Sequence, residues 1–189
     1  MEIRPYDPDD PDDVAALWTH KQAFERGLGA ETGGEEKATA YEAKITDSYR
    51  AEWLEWVERC VAAEERCVTV ADAGDGYEAE NAGDESENGT IGDEGEGEDD
   101  GIVGYVFVLP ETHRFIWDAA VLNEIFVAPA YRGEGVADDL MDAALALATD
   151  QDLPIDRLIL DVDPDNERAR RFYDRHGFEA WGELVARPL

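Results

Sequence analysis

The segment Val127-Ala-Pro-Ala-Tyr-Arg132-Gly133-Glu134-Gly135-Val136-Ala137-Asp138 combines a cation, two glycines and the start of a helix, which together can hold an anion. Before it, Val121-Leu122-Asn123-Glu124-Ile125-Phe126-Val127 is an apolar run of strand length, and Pro129 cannot continue a ladder. After it, Val136, Leu140, Ala144 and Leu147 repeat at helical spacing. Gly133 and Gly135 let the backbone turn tightly and come close to a ligand, and the first N–H groups of the helix have no partner inside it. Such a terminus favours phosphate. Two familiar glycine-rich motifs fit poorly: a dinucleotide fingerprint needs a small residue where Asp138 stands, and a P-loop needs a Gly-Lys-Ser/Thr that is absent.

A second group lies downstream. The apolar run Arg157-Leu-Ile-Leu-Asp161-Val162 reads as a strand ended by Asp163-Pro164-Asp165, followed by Asn166-Glu-Arg-Ala169-Arg-Arg-Phe172-Tyr173-Asp-Arg-His-Gly177-Phe178. Each of these residues also has a structural reading. Asp165 or Asn166 can cap a helix whose core face is Ala169, Phe172, Tyr173 and His176, and Gly177 can end it. Taken together, however, Arg132-x-x-Gly135-x-Ala137 and Asn166-x-x-Ala169-x-x-x-Tyr173 with Gly177-Phe178 resemble the two acetyl-CoA motifs of the GNAT superfamily of N-acetyltransferases, in the family's order. Only residues 121 to 178 match closely enough for residue-level transfer, although the order of elements agrees over the whole chain.

The resemblance implies that the strand ending at Val127 and the strand containing Asp161 splay apart and admit the pantetheine arm of acetyl-CoA. The main chain of Ile125, Phe126 and Val127 would then pair with the pantetheine amides, with an N–H near Val127 facing the thioester oxygen. The turn from Arg132 through Gly133, Glu134, Gly135, Val136 and Ala137 to Asp138 would hold the pyrophosphate, and Asn166 and Tyr173 would complete the cofactor site. Among Arg168, Arg170, Arg171 and Arg175, one or two are expected at the nucleotide phosphates, the others in surface ion pairs. Transfer to an amine needs a base, because amines are mostly protonated near neutral pH, and a proton for the departing thiolate. Glu124 is the first candidate base, directly or through water, and Asp161 the second. Strand alternation sets Glu124 and Phe126 opposite Ile125 and Val127, placing that carboxylate among apolar neighbours. Tyr173 is the candidate general acid. The acceptor is a small primary amine or, alternatively, a protein or peptide N-terminus; a catalytically silent acyl-CoA-binding domain is the reading from another class. The acceptor pocket is expected between the helix carrying Trp53, the Gly29 to Tyr41 loop and the Thr112 to Ala119 segment.

Composition bounds these readings. The 189 residues suit one domain with a single core. The chain carries 47 acidic against 16 basic residues, a net charge of −31, and its only lysines are Lys21, Lys37 and Lys44. Acidity spread along the whole chain reads as a solvated surface suited to concentrated salt, where like-charge repulsion is screened, in preference to a patch that steers a cation. It leaves no basic stripe for nucleic acid. No apolar stretch of spanning length and no signal h-region appear, so a cytoplasmic protein that does not enter membranes is expected. Cys60 and Cys67 match no metal or redox spacing and read as buried hydrophobes; with His20, His113 and His176 scattered, no metal site is expected.

The periodicities predict an α/β fold. A strand at Glu2 to Tyr6 precedes a helix marked by Val14, Leu17, Trp18, Phe24 and Leu28, then a loop from Gly29 to about Lys37. A second helix carries Tyr49, Trp53, Trp56 and Cys60 as a core stripe. Strands follow at Cys67 to Ala71 and Ile102 to Leu109, then the two motif regions, and a last strand or pair from Phe178 to Pro188. Residues 72 to 100 contain 13 acidic residues and seven glycines, and read as a mobile hairpin insertion. The expectation is a single domain with a mixed, mainly antiparallel sheet flanked by helices. Dimerisation is common in the relatives, and the final strand is the edge that would serve it.

Overall fold

A computed structural model describes residues 1–31, 34–74 and 101–187. Its five-stranded sheet has the order β1-β2-β3-β4-β5, with β1 (Glu2–Pro5), β2 (Val68–Asp72), β3 (Ile102–Val108), β4 (Ala120–Val127) and β5 (Leu158–Ile159). The first four strands are antiparallel, and β5 joins β4 in parallel. β3 is buried along its whole length, as a β-branched and aromatic run covered on both faces must be. The expected mixed, mainly antiparallel sheet is therefore present.

Both faces are covered by helices. On one side lie α1 (Pro11–Glu31) and α3 (Asp47–Ala63): the rings of His20 and Phe126 stand 5.4 Å apart, and those of Trp56 and Phe107 stand 4.9 Å apart. On the other side lies α4 (Val136–Asp150), which buries Val136, Leu140, Met141, Ala144 and Leu147, the spacing legible in the sequence. α1 starts on Pro11, whose missing N–H is no loss in a first turn, with Asp12 and Asp13 near the positive end of the dipole. Arg4 grips Asp13 through two bonds of 2.7 Å and also reaches Asp72, tying β1, α1 and β2 together. α3 is capped by the Thr46 side chain, which accepts from the Tyr49 N–H at 3.2 Å.

Three expectations are corrected. The glycine-rich stretch after Leu28 is largely helical: α1 runs to Glu31, and α2 (Gly34–Ala43) follows, so three helices precede β2. Glu35, Glu36, Lys37, Ala38 and Ala40 are good helix formers, and they outweigh the glycines at the junction. β5 is only two residues long, not the run to Val162, and residues 178–187 form no strand. With so short an edge, the C-terminal segment has no ladder to extend. The acidic insertion lies outside the described residues from 75 to 100; its ends join β2 and β3, where the Ala73 N–H donates to the Gly101 carbonyl at 2.8 Å.

Candidate active site

β4 and β5 pair only at Ala120–Leu158 and Val121–Ile159, and beyond that point β4 continues alone to Val127. Its inner edge is held by β3, where the Ala128 N–H donates to the Val103 carbonyl at 2.8 Å. By the alternation of an antiparallel ladder, the Ile125 and Val127 amides therefore face the other way, into the gap left by β5. That gap is a cleft of about 680 Å³. Asp161, Val162 and Asp163 stand across from β4, α5 (Glu167–Arg175) forms a further wall, and Ala23, Phe24, Gly27 and Leu28 of α1 close the remaining side.

The turn at the head of the cleft has the expected geometry. Gly133 and Gly135 adopt φ of 91° and 88°, the left-handed region that glycine enters freely. Gly135 is the residue before α4, and the N–H groups of Val136 and Ala137 belong to the first turn, with no intrahelical acceptor. The donors end there, because the Asp138 amide bonds the Gly135 carbonyl at 2.9 Å. The Asp138 carboxylate takes Arg175 at 2.7 Å and His176 at 2.8 Å; the hydrogen bond from Arg175, with that of His176, holds it below the usual carboxylate range despite some burial. Arg132 donates through Nε to the Val127 carbonyl at 3.0 Å and lies over the Phe126 ring, bracing the turn against the strand end.

Of the residues expected at the site, Glu124, Ile125, Phe126, Val127, Arg132, Gly133, Gly135, Ala137, Asp138, Asp161, Asn166 and Tyr173 line this one cleft. Val136 is buried beneath it, and Glu134 stands outside the lining. Asn166 caps α5, its side-chain oxygen accepting from the Ala169 N–H at 3.0 Å. Tyr173 packs edge-on against Phe172 and Phe178, and burial pushes its phenol up to about 12. Arg168, Arg171 and Arg175 also line the cleft, but Arg170 turns away to the Pro164 carbonyl.

Glu124 is buried as expected, but its surroundings are not apolar. Lys21 Nζ lies 2.6 Å from Oε1, Asn123 donates to the same oxygen at 3.0 Å, and the Tyr105 hydroxyl donates to Oε2 at 2.6 Å. Burial, and next the Glu124 charge, push the Tyr105 phenol well above its ordinary value. Lys21 also reaches Glu25 at 2.7 Å, and Glu25 takes Lys44 at 2.7 Å and the Tyr49 hydroxyl at 2.9 Å. Burial alone would raise the Glu25 carboxyl, but the pull of Lys21, with the bonds of Lys44 and Tyr49, brings it below its ordinary range. Nothing in the linear pattern singled out Lys21, Glu25 or Tyr105. The trace that was there is a lysine at helical spacing from the apolar Leu17, Trp18 and Phe24 of α1. The register of β3 and β4 also shifts at Asn123, the bulge that turns its amide onto Glu124.

Two of the elements expected around the acceptor stand apart from this cleft. Among the described residues the cleft is walled by α1, and neither the Trp53 helix nor the 112–119 segment lines it; His113, Arg114 and Ala119 line a separate recess of about 10 Å³. The reason is tertiary: Trp53, Val57 and Cys60 are buried in the core, as their stripe predicts. Among the described residues, no helix is long and apolar enough to cross a membrane.

The sheet thus opens at its parallel pair, with a helix start at the head of the opening and a tyrosine-bearing helix along it. The chain belongs to the acetyltransferase (GNAT) family, whose sequence model matches residues 41–178. An uncharacterised N-acetyltransferase of Mycobacterium tuberculosis is 36% identical over 86 residues, 46% of this chain and 51% of that protein. The chain thus spans about half the length of the curated relatives it matches. Among solved structures, the PaiA N-acetyltransferase of Thermoplasma acidophilum in complex with coenzyme A has a TM-score of 0.63 at 17% identity, covering 94% of this chain and 89% of that one. AAC(6')-Iy in complex with a bisubstrate analogue, CoA-S-monomethyl-acetylneamine, has a TM-score of 0.56 at 15% identity, covering 100% and 97%. At these identities the likeness is one of fold.

Proposed function

We propose that the protein transfers the acetyl group of acetyl-CoA to a primary amine by direct attack in a ternary complex. The observation that carries this reading is the unpaired outer edge of β4, which runs straight into the Gly133–Ala137 turn. Ile125 and Val127 offer strand-type hydrogen bonds to an extended amide-bearing chain, and the donors of the turn suit a pyrophosphate. Arg168, exposed on the cleft wall, suits a further phosphate. This arrangement also meets the difficulty of net charge. In a chain at −31, backbone donors and a few arginines act at contact distance, whereas the global field is screened.

In this reading Glu124, through a water, takes the proton from the incoming ammonium, with Asp161 on the opposite wall as the second candidate. The amine nitrogen bonds to the thioester carbon, the Val127 N–H supports the negative charge on the oxygen, and the carbon–sulfur bond breaks. Tyr173 donates its proton to the departing sulfur and is reprotonated by the second proton shed from the attacking nitrogen, leaving a neutral amide and a free thiol. Asn166 holds the first turn of α5, which carries Tyr173. The acceptor enters along α1, past Phe24 and Leu28. We also read the diffuse acidity as an adaptation to concentrated salt.

The test is release of free thiol from acetyl-CoA over a panel of small amines and peptides with free N-termini. Burial pushes the Cys60 thiol up to about 11 and the Cys67 thiol up to about 12, so neither disturbs a thiol reagent near neutral pH. Release with a small amine supports the proposal, and release with peptides alone would move the acceptor to polypeptide N-termini. Coenzyme A binding without release from any amine would leave a non-catalytic acyl-CoA-binding domain.

A further inference from the structure

Lys21 is an unusual residue for its place. Its side chain is 4% exposed, enclosed by Glu124 and Glu25 and by the rings of Phe24 and Trp53, each centred 5.2 Å from Nζ. Removing a lysine from water is expensive, and an apolar side chain of similar volume is usually no less stabilising at such a position. Stability is therefore a weak reason for it to be there.

Two observations point to the cleft instead. The chain has 13 arginines and three lysines, and all three lysines pair with an acid that lines the cleft or stands behind its wall. Lys21 pairs with Glu124 and Glu25, Lys44 with Glu25, and Lys37 with the cleft residue Asp163 at 3.2 Å. A lysine presents a compact point charge where an arginine presents a wide fork, and the space between two buried carboxylates suits the former. The second observation is geometric. Glu124 lines the cleft, and its carboxylate is held at both oxygens: by Lys21 and Asn123 on Oε1 and by Tyr105 on Oε2. The two carboxylates and two ammoniums of the cluster cancel in charge, so Glu124 is fixed without adding a net field behind the reacting groups.

We propose that Lys21 is a positioning residue for acetyl transfer: by clamping Glu124 to Glu25 and, through it, to Lys44 and Tyr49, it holds the Glu124 carboxylate in one orientation toward the acceptor amine. The inference rests on the role given to Glu124 above. The groups facing the pair are His20 and Glu25 from α1, Tyr49 and Trp53 from α3, Lys44 from the segment between α2 and α3, Tyr105 from β3, and Asn123 from β4. His20 is occupied elsewhere, its Nε2 standing 2.6 Å from the Ile102 carbonyl.

The test compares the wild type with Glu124→Gln, with the charge-balanced double variant Lys21→Met/Glu25→Gln, and with the triple variant that adds Glu124→Gln. The double variant should bind coenzyme A within about twofold of the wild type but lose about 10- to 100-fold in kcat, the scale of a catalytic group displaced by about 1 Å. The KM for acetyl-CoA should not move, so that the loss falls on kcat alone. The triple variant should be no slower than Glu124→Gln alone, since both changes remove one function. Wild-type kcat in the double variant, or losses that multiply in the triple, would overturn the inference. A Glu124→Gln variant as fast as the wild type would instead remove the base assignment itself. Should the double variant not fold, Lys21→Arg keeps the charge and alters its reach: a lower kcat at an unchanged coenzyme A affinity supports the clamp, and an unchanged kcat overturns it.

Discussion

At the scale of single residues, Tyr173 shows how a motif position acquires its chemistry from packing. Its identity and spacing were legible, and so was its place on the buried face of a short helix. What the linear pattern lacked was its environment: the rings of Phe172 and Phe178 against it, and burial that pushes its phenol up to about 12. A phenol in that state keeps its proton throughout the neutral and mildly alkaline range, so it is present in the donor form when the sulfur departs. Tyr173→Phe should therefore keep coenzyme A affinity, measured by calorimetry, while the chemical rate falls by about 10²–10⁴-fold, the range of such a proton donor. Equal single-turnover rates for the two proteins would remove the role. Glu124 teaches the complementary lesson. Alternation along β4 placed it correctly, but its partners arrive from residues 19 and 103 positions away. No local window contains them.

At the scale of elements, the site depends on how β4 is held. β3 can lie close against the end of β4 because residue 104 is glycine. A Cβ there would meet the Phe126 carbonyl oxygen at 2.7 Å and Val127 at 3.3 Å, and the nearest of these atoms are backbone. Gly104 does not line the cleft, yet Gly104→Ala should push the strand end toward the gap that a ligand must enter. The expected result is a loss of about 1–3 kcal/mol in urea denaturation, as for other overpacked sites, together with weaker coenzyme A binding. Unchanged affinity in a destabilised variant would show that β4 relaxes elsewhere. The strands and the two motif helices were legible because each carries a clean period. β5 and the tail were not, since a strand's length is decided by its partner's edge and β4 turns away after Val121. α2 was missed for a related reason: glycine lowers local preference, but neighbouring helix formers and packing against α1 override it.

At the scale of the whole molecule, charge dominates. With a net −31, the folded chain carries strong self-repulsion that salt screens, the Debye length falling from about 10 Å at 0.1 M to about 3 Å at 1 M. If the composition is an adaptation to concentrated salt, the melting temperature should fall on moving from molar potassium chloride to about 0.1 M, followed by circular dichroism. A flat or rising response would reject it. The surface pairs among the arginines should weaken as salt rises, so their loss works against this trend and makes the direction informative. The Lys21–Glu124–Glu25–Lys44 cluster is largely withdrawn from solvent and should be insensitive by comparison.

The sequence by itself determined the family-bearing turn, the tyrosine helix, the burial pattern of the central strands and the charge. All of these reside in residue type and short-range spacing, where local sterics and periodicity act. Only the tertiary structure decided which face of the cleft α1 would occupy, how far β4 and β5 would stay apart, and that a lysine near the start of the chain would close on a glutamate 103 residues later. Those outcomes come from the global arrangement that buries the most apolar surface while leaving its charges paired, and that balance belongs to the folded whole.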